Sequence, residues 1–228
     1  MWICQYFINV GAELASNIPI SNNIYPNRLQ QNSVILSPTD EVEIKNIIGN
    51  LNKSKASGYD NITVNMVKLS KNEISVLLTI LINKSFESGI VPSQSKIAKV
   101  TPIFKNGDKE IISNYRPISV LPILSKIIEK VVNLRIQNFL INHHLLYANQ
   151  YGFRKASDTE TAVLDTISEI KMQIDKNYKC GIISLNLCKA FDTVNHKILL
   201  GKIHDLGVRG IVHTWFANYL SNKFQYGL

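Results

Sequence analysis

Between Ile182 and Leu200 the chain reads IISLNLCKAFDTVNHKILL, and the side chains able to do chemistry fall in its middle. Ile183, Leu185 and Leu187 alternate with Ser184, Asn186 and Cys188, the period of a strand with one buried face. The alternation then breaks into KAFD, a charged and aromatic step carrying Phe191 and an acid at Asp192. A strand whose exposed row ends on a polar side chain is a common way to build a catalytic rim. A carboxylate at such a rim holds hard cations, whereas the amide of Asn186 has no charge to offer one. Two readings therefore stand for Asn186: an ordinary polar residue at a strand end, or a substituted carboxylate.

A second set of candidate groups is cationic. From Lys96 to Arg135 eight basic residues stand against Asp108, Glu110 and Glu129, giving +5, whereas residues 1–40 carry only Arg28 against Glu13 and Asp40. The net charge of +8 and pI near 9.3 are thus regional, and they suit an anionic partner, nucleic acid first. An ordinary solvated surface explains the charge equally well. Cys4, Cys180 and Cys188 are odd in number and form no CxxC pair, so neither a disulfide framework nor a zinc site is expected, and a reducing, intracellular setting fits. No apolar run approaches a membrane span, and MWICQYFINVGAELA lacks the basic start of a signal peptide.

The elements that must position these groups follow from periodicity. Thr39 reads as an N-cap, with Ile44, Ile47, Ile48 and Leu51 on the inward face of the helix after it. A helix from Glu73 to Ser88 is expected to bury Ile74, Leu77, Leu78, Leu81, Ile82 and Phe86, and to stop at Gly89 and Pro92. Lys96 to Lys105 alternates as a strand and NGD follows as a turn. A long helix after Pro122 turns Leu124, Ile127, Ile128, Val131, Val132 and Leu134 inward. Ser157 and Glu160 read as a capping box for a helix with Val163, Ile167, Ile170 and Ile174 toward the core. Helical segments end near Gly207 and run again from Trp215 to Leu220, while residues 16–38 read as an irregular connector. The composition is that of a globular, mostly helical α+β protein.

Four blocks in order carry a family resemblance. VTPIFKNGDKEIISNYRPISVLPILSKIIEKVV resembles the fingers motif of reverse transcriptases from non-LTR retrotransposons of the LINE and jockey type. NQYGFRK and LNLCKAFDTVNHKIL resemble the next two blocks, and LNKSKASGYDNI with YFINVGAELASNIP resembles the segment joining endonuclease to polymerase. The resemblance implies an α+β right-hand polymerase fold, helix-rich with a few short strands: a connector over 1–40, a fingers-like region over 41–180, and the start of a palm over 181–228. It implies an RNA-directed DNA polymerase, a nucleotidyltransferase that copies retrotransposon RNA into DNA in the nucleus or cytoplasm. Its partners would be an RNA template, a DNA primer and deoxynucleotides, with no membrane.

The same resemblance implies roles for individual residues. Intact members use Mg2+, one ion activating the primer 3′-hydroxyl and another holding the triphosphate. Lys105 and Arg116 would meet the triphosphate, Arg as a planar fork and Lys as a point charge. Phe191, five positions after residue 186, would pack under the incoming sugar and exclude ribonucleotides. Gly152 and Arg154 would contact the template strand. Where the family reads LDLSKAFD this chain reads LNLCKAFD, so Asn186 occupies the position of the metal-binding aspartate. Asp192 matches a family carboxylate that is not the metal ligand, and it equally suits the N-cap of the next helix. Plainer readings exist for the others: a solvated Lys105, a salt-bridged Arg116, a core Phe191. No double-aspartate block or thumb appears up to Leu228. The expectation is a degenerate or truncated copy without polymerase activity and without tight Mg2+ binding, or else a non-catalytic nucleic-acid-binding remnant of a retrotransposon.

Overall fold

The computed structural model describes residues 29–154, 157–187, 190–191 and 193–227. The chain divides into two compact units, one formed by Met1–Asn138 with Lys189–Leu228, the other by Phe139–Cys188.

The larger unit begins with α1 (Glu41–Gly49), whose first turn is capped by Asp40: its Oδ1 accepts the Glu43 amide at 2.8 Å. The expected cap, Thr39, is one residue too early. Its backbone is clasped instead by the Asn83 amide, at 2.8 and 3.0 Å, and its hydroxyl donates to Glu43 Oε2 at 2.7 Å. Ile44, Ile47 and Ile48 are buried as their spacing requires. The short α2 (Val64–Leu69) leads into α3 (Lys71–Ser88), which stops at Gly89. There φ is +69°, and a Cβ would sit 2.9 Å from Ile211 Cδ1, so glycine both turns the chain and admits a neighbouring helix. Only part of the expected face of α3 is covered. Leu78, Ile82 and Phe86 are buried, while Leu77 and Leu81 are exposed and edge an open apolar groove.

Strand β1 (Ile97–Phe104) and β2 (Tyr115–Val120) form an antiparallel hairpin, and β3 (Phe224–Gly227) joins β1 on its other side in parallel, giving the order β2-β1-β3. Ala98 and Val100 turn one sheet face into the core. Beyond β2 runs α4 (Ile123–Asn142), with Ile123, Ile127 and Val131 fully buried. Its Arg135 reaches back to α1, holding both Glu43 carboxylate oxygens at 2.5 and 2.6 Å and the Ser37 and Pro38 carbonyls at 3.3 Å. The Glu43 carboxyl is held below its ordinary pKa, chiefly by this hydrogen-bonded guanidinium.

Two more helices belong to this unit. Asn195, not Asp192, caps α6 (His196–Asp205), its Oδ1 accepting the Lys197 and Ile198 amides; Asp192 itself lies outside the described residues. On α7 (Gly210–Leu220), Trp215 is buried, and its indole N–H donates to Ser85 Oγ at 2.9 Å. Phe86 meets the indole edge-on, and Tyr219 stacks on it with ring centroids 5.3 Å apart. The buried Lys96 ammonium closes the end of α7, donating to Asn218 O at 2.6 Å and Oδ1 at 2.8 Å.

In the smaller unit α5 (Thr159–Asp175) departs from expectation twice. Its cap is Asp158, which accepts the Thr161 amide at 2.8 Å, so the Ser157–Glu160 box does not form. None of its residues is buried: Val163, Ile167 and Ile174 are about half exposed. Of the alternation at 183–188, expected as a strand, residues 183–187 form none, and Cys188 lies outside the described residues. Its apolar residues Ile183, Leu185 and Leu187 are exposed, because among the described residues no other strand pairs with it, and alternation alone does not make a ladder.

Candidate functional site

The β1–β2 register decides where the two expected phosphate-binding cations lie. Ile103 pairs with Arg116 and Phe104 with Tyr115, and the ladder continues one residue further, the Lys105 amide donating to Asn114 O at 2.8 Å. Paired residues share a face and alternate residues repeat it. Arg116 and Ile103 therefore stand on one face, with Lys105 two residues along. Both cations are exposed, and among the described residues neither enters an ion pair. The salt-bridged reading of Arg116 thus has no counterpart here.

The loop between the strands is bonded to itself. Gly107 has φ +90°, and a Cβ there would meet Asn114 Nδ2 at 2.7 Å. Asn114 Nδ2 donates to Asp108 O at 2.8 Å, Asp108 Oδ1 accepts the Glu110 amide at 2.9 Å, and the Tyr115 hydroxyl donates to Lys109 O at 2.9 Å. The other face carries Phe104 and Tyr115 in edge contact, 5.4 Å between centroids. A loop bonded to itself leaves the Lys105 and Arg116 side chains free to meet a ligand.

The register also shows what periodicity missed. On the face of Lys105 and Arg116 stand Lys99 and Thr101 of β1, Ile118 of β2, and the rings of Phe224 and Tyr226 from β3. No Asp or Glu belongs to this face of the strands. Alternation within the strands is legible in the sequence, but the parallel pairing of β1 with a segment more than a hundred residues away is not.

The remaining candidates fall in both units. Asn186 is exposed on irregular backbone in the smaller unit, and Phe191, 79% exposed, belongs to the larger one and is no core residue. Gly152 has open space where a Cβ would be. Arg154 Nη1 donates to the carbonyls of Tyr147, Ala148 and Gln150 at 3.0 to 3.4 Å, which ties its own loop together. A concavity of about 880 Å³ in this unit is edged by Asp165 and Glu169 and by no Lys or Arg, the wrong charge for a triphosphate. There the Tyr151 hydroxyl donates to Asp165 Oδ2 at 2.7 Å, which raises the phenol's pKa. Among the described residues no three His, Cys, Asp or Glu side chains gather as a metal ion requires.

Comparison with known proteins agrees with the motifs. Residues 103–227 match the family described as reverse transcriptase (RNA-dependent DNA polymerase). The probable RNA-directed DNA polymerase from transposon BS of Drosophila melanogaster is 29% identical over 177 residues, 77% of this chain and 20% of that protein. The RNA-directed DNA polymerase from mobile element jockey of the same fly is 29% identical over 75% of this chain and 19% of its own length. The Pol polyprotein of type-1 retrotransposable element R2 from Popillia japonica is 28% identical over 75% of this chain and 23% of its own. The chain thus spans about a fifth of the length of these relatives. With a family match over more than half its residues, beginning at the hairpin and running through β3, the chain belongs to the reverse transcriptase family.

Proposed function

We propose that this chain is the nucleotide- and template-holding part of an RNA-directed DNA polymerase that copies retrotransposon RNA into DNA, and that this copy binds without carrying out transfer. The observation that carries the binding half is the hairpin face: Lys105 and Arg116 side by side, exposed, on strands whose face has no acid. A triphosphate there meets a fork and a point charge together. In this reading residues 41–180 serve as fingers and 181–228 open a palm, with residues 1–40 as the connector. The substrates are deoxynucleotides on an RNA template with a DNA primer, inside the cell. Among the described residues no helix is long and apolar enough to cross a membrane. Gly152 borders the template and Phe191 the incoming sugar.

The catalytic half rests on Asn186. The family's Mg2+ needs anionic oxygen, and the side-chain oxygen of Asn186 is neutral, so the donor set at this position does not fit the metal. No transfer step is derived through it. The non-catalytic reading is the one this residue favours.

The test uses two chains: the 228 residues themselves, and the same residues extended with the remaining polymerase sequence of a jockey-type relative. Neither is expected to extend a primer on RNA as they stand. Asn186→Asp is expected to restore extension only in the longer chain. Equal extension by the Asn and Asp forms of that chain would remove Asn186 from the catalytic position.

A further inference from the structure

We infer that Phe224 and Tyr226 of β3, with Lys99 beside them, form a base-stacking lane for single-stranded nucleic acid on the open face of the sheet. The inference deepens the reading of the hairpin face given above and rests on it. The parallel register sets Ile97 opposite Phe224 and Lys99 opposite Tyr226, so both rings share the face of Lys99, Lys105 and Arg116. They are 61% and 55% exposed, unusual for two aromatic side chains on one four-residue strand. Along a strand such neighbours stand about 6.6 Å apart, and Tyr226 lies one strand spacing, about 4.8 Å, from Lys99.

Exposed rings beside a lysine, on strands that carry no acid, have one well-matched occupant. A nucleobase stacks on any aromatic face, and the phosphate beside it takes the ammonium. An apolar protein segment would cover the rings but leave Lys99 buried without a partner, which is costly. Double-stranded nucleic acid offers its phosphates but keeps its bases stacked on each other. The fit is therefore to a single strand. Lys105, just past the end of β1, is six residues from Lys99, about 20 Å in extended chain, so the lane lies well away from the hairpin end. It holds nucleotides distant from the one being matched, and it sets how firmly an unpaired strand is gripped rather than which nucleotide is chosen.

The experiment measures binding of the full 228-residue chain to a fluorescent twelve-nucleotide RNA, to DNA of the same sequence, and to the RNA duplex, across a salt series. Replacing both rings, Phe224→Leu with Tyr226→Leu, is expected to weaken single-strand affinity about ten-fold or more while leaving the slope of log affinity against log salt unchanged. Tyr226→Phe, which keeps the ring, is expected to bind as the original does. Lys99→Gln is expected to lower the salt slope. Should the double variant misfold by circular dichroism, 4-thiouridine RNA cross-linked to the unaltered chain gives the answer, with adducts expected on the peptide containing Phe224 and Tyr226. Undiminished binding by a folded double variant, or cross-links confined to other peptides, overturns the lane. If Lys105→Ala and Arg116→Ala still weaken binding in that case, the hairpin reading survives alone. Absence of any single-strand binding by the original chain overturns both.

Discussion

At the scale of single side chains, the proposed roles rest on Lys105, Arg116 and Asn186. Lys105 and Arg116 stand exposed on one sheet face, so replacing either by Ala removes charge without opening a cavity. Affinity for a deoxynucleoside triphosphate, measured by calorimetry, should fall roughly ten- to hundred-fold for each, as expected for a charge-assisted hydrogen bond of about 1.5–3 kcal/mol. The melting curve should stay within about 0.5 kcal/mol of the original. Arg116→Lys should recover only part of the loss, because an ammonium does not bind two oxygens in a plane. At Asn186 the reverse change is the informative one. In the extended chain Asp should raise primer extension by several factors of ten, each worth about 1.4 kcal/mol of barrier. The family resemblance alone singles out these positions: Lys105 and Arg116 lie on either side of a turn, and Asn186 stands where the family motif has Asp. It failed on Thr39 and Ser157, where a better-placed acid sits one residue later and takes the cap. Caps are settled by backbone geometry at one residue, which spacing does not resolve.

Among the elements, the clamp between α1 and α4 is the one with a pH signature. Arg135 holds the Glu43 carboxyl below its ordinary value, so the folded state binds the proton less readily than the unfolded chain. Its stabilisation is then complete above the unfolded carboxyl's pKa, near 4.5, and is lost as pH falls through the lower folded value. Denaturant melts between pH 6 and pH 3 should show this loss, and Glu43→Gln should reduce it while costing roughly 2 kcal/mol at neutral pH. A fall of the same size in the Gln variant would mean that other carboxylates govern the acid limb. The helices themselves were legible, because a stripe such as Ile44, Ile47 and Ile48 has one explanation. Their destinations were not. The stripe on α5 has the same periodicity, yet none of its residues is buried, since a pattern says which face is apolar but not what covers it.

Over the whole molecule, burial is concentrated in the larger unit. Ile127 and Val131 of α4 are fully enclosed there, whereas α5 buries nothing. Ile127→Ala should therefore cost about 2–5 kcal/mol, and Ile167→Ser on α5 should stay near 0.5 kcal/mol. Hydrogen exchange should reveal the same division, with amides of α5 and of residues 179–187 exchanging long before those of α4. Uniform protection across both units would contradict it. The exposed Ile183, Leu185 and Leu187 should also make the 228-residue chain self-associate, which light scattering across a concentration series would register. Polar substitutions at these three positions should suppress that association. The hairpin was legible as a local unit, but this distribution of burial was not, because it depends on pairings between distant segments.

The parallel pairing of β1 with β3 has a consequence during synthesis. Val100 is partnered by Gly227, so its strand leaves the ribosome well before the segment that completes the sheet. At translation rates of about 5–20 residues per second the delay is on the order of ten seconds. Through that interval one edge of β1 is a row of open backbone groups, a template for any other extended chain nearby. A nascent chain halted before Phe224 should therefore recruit more chaperone than one that carries β3.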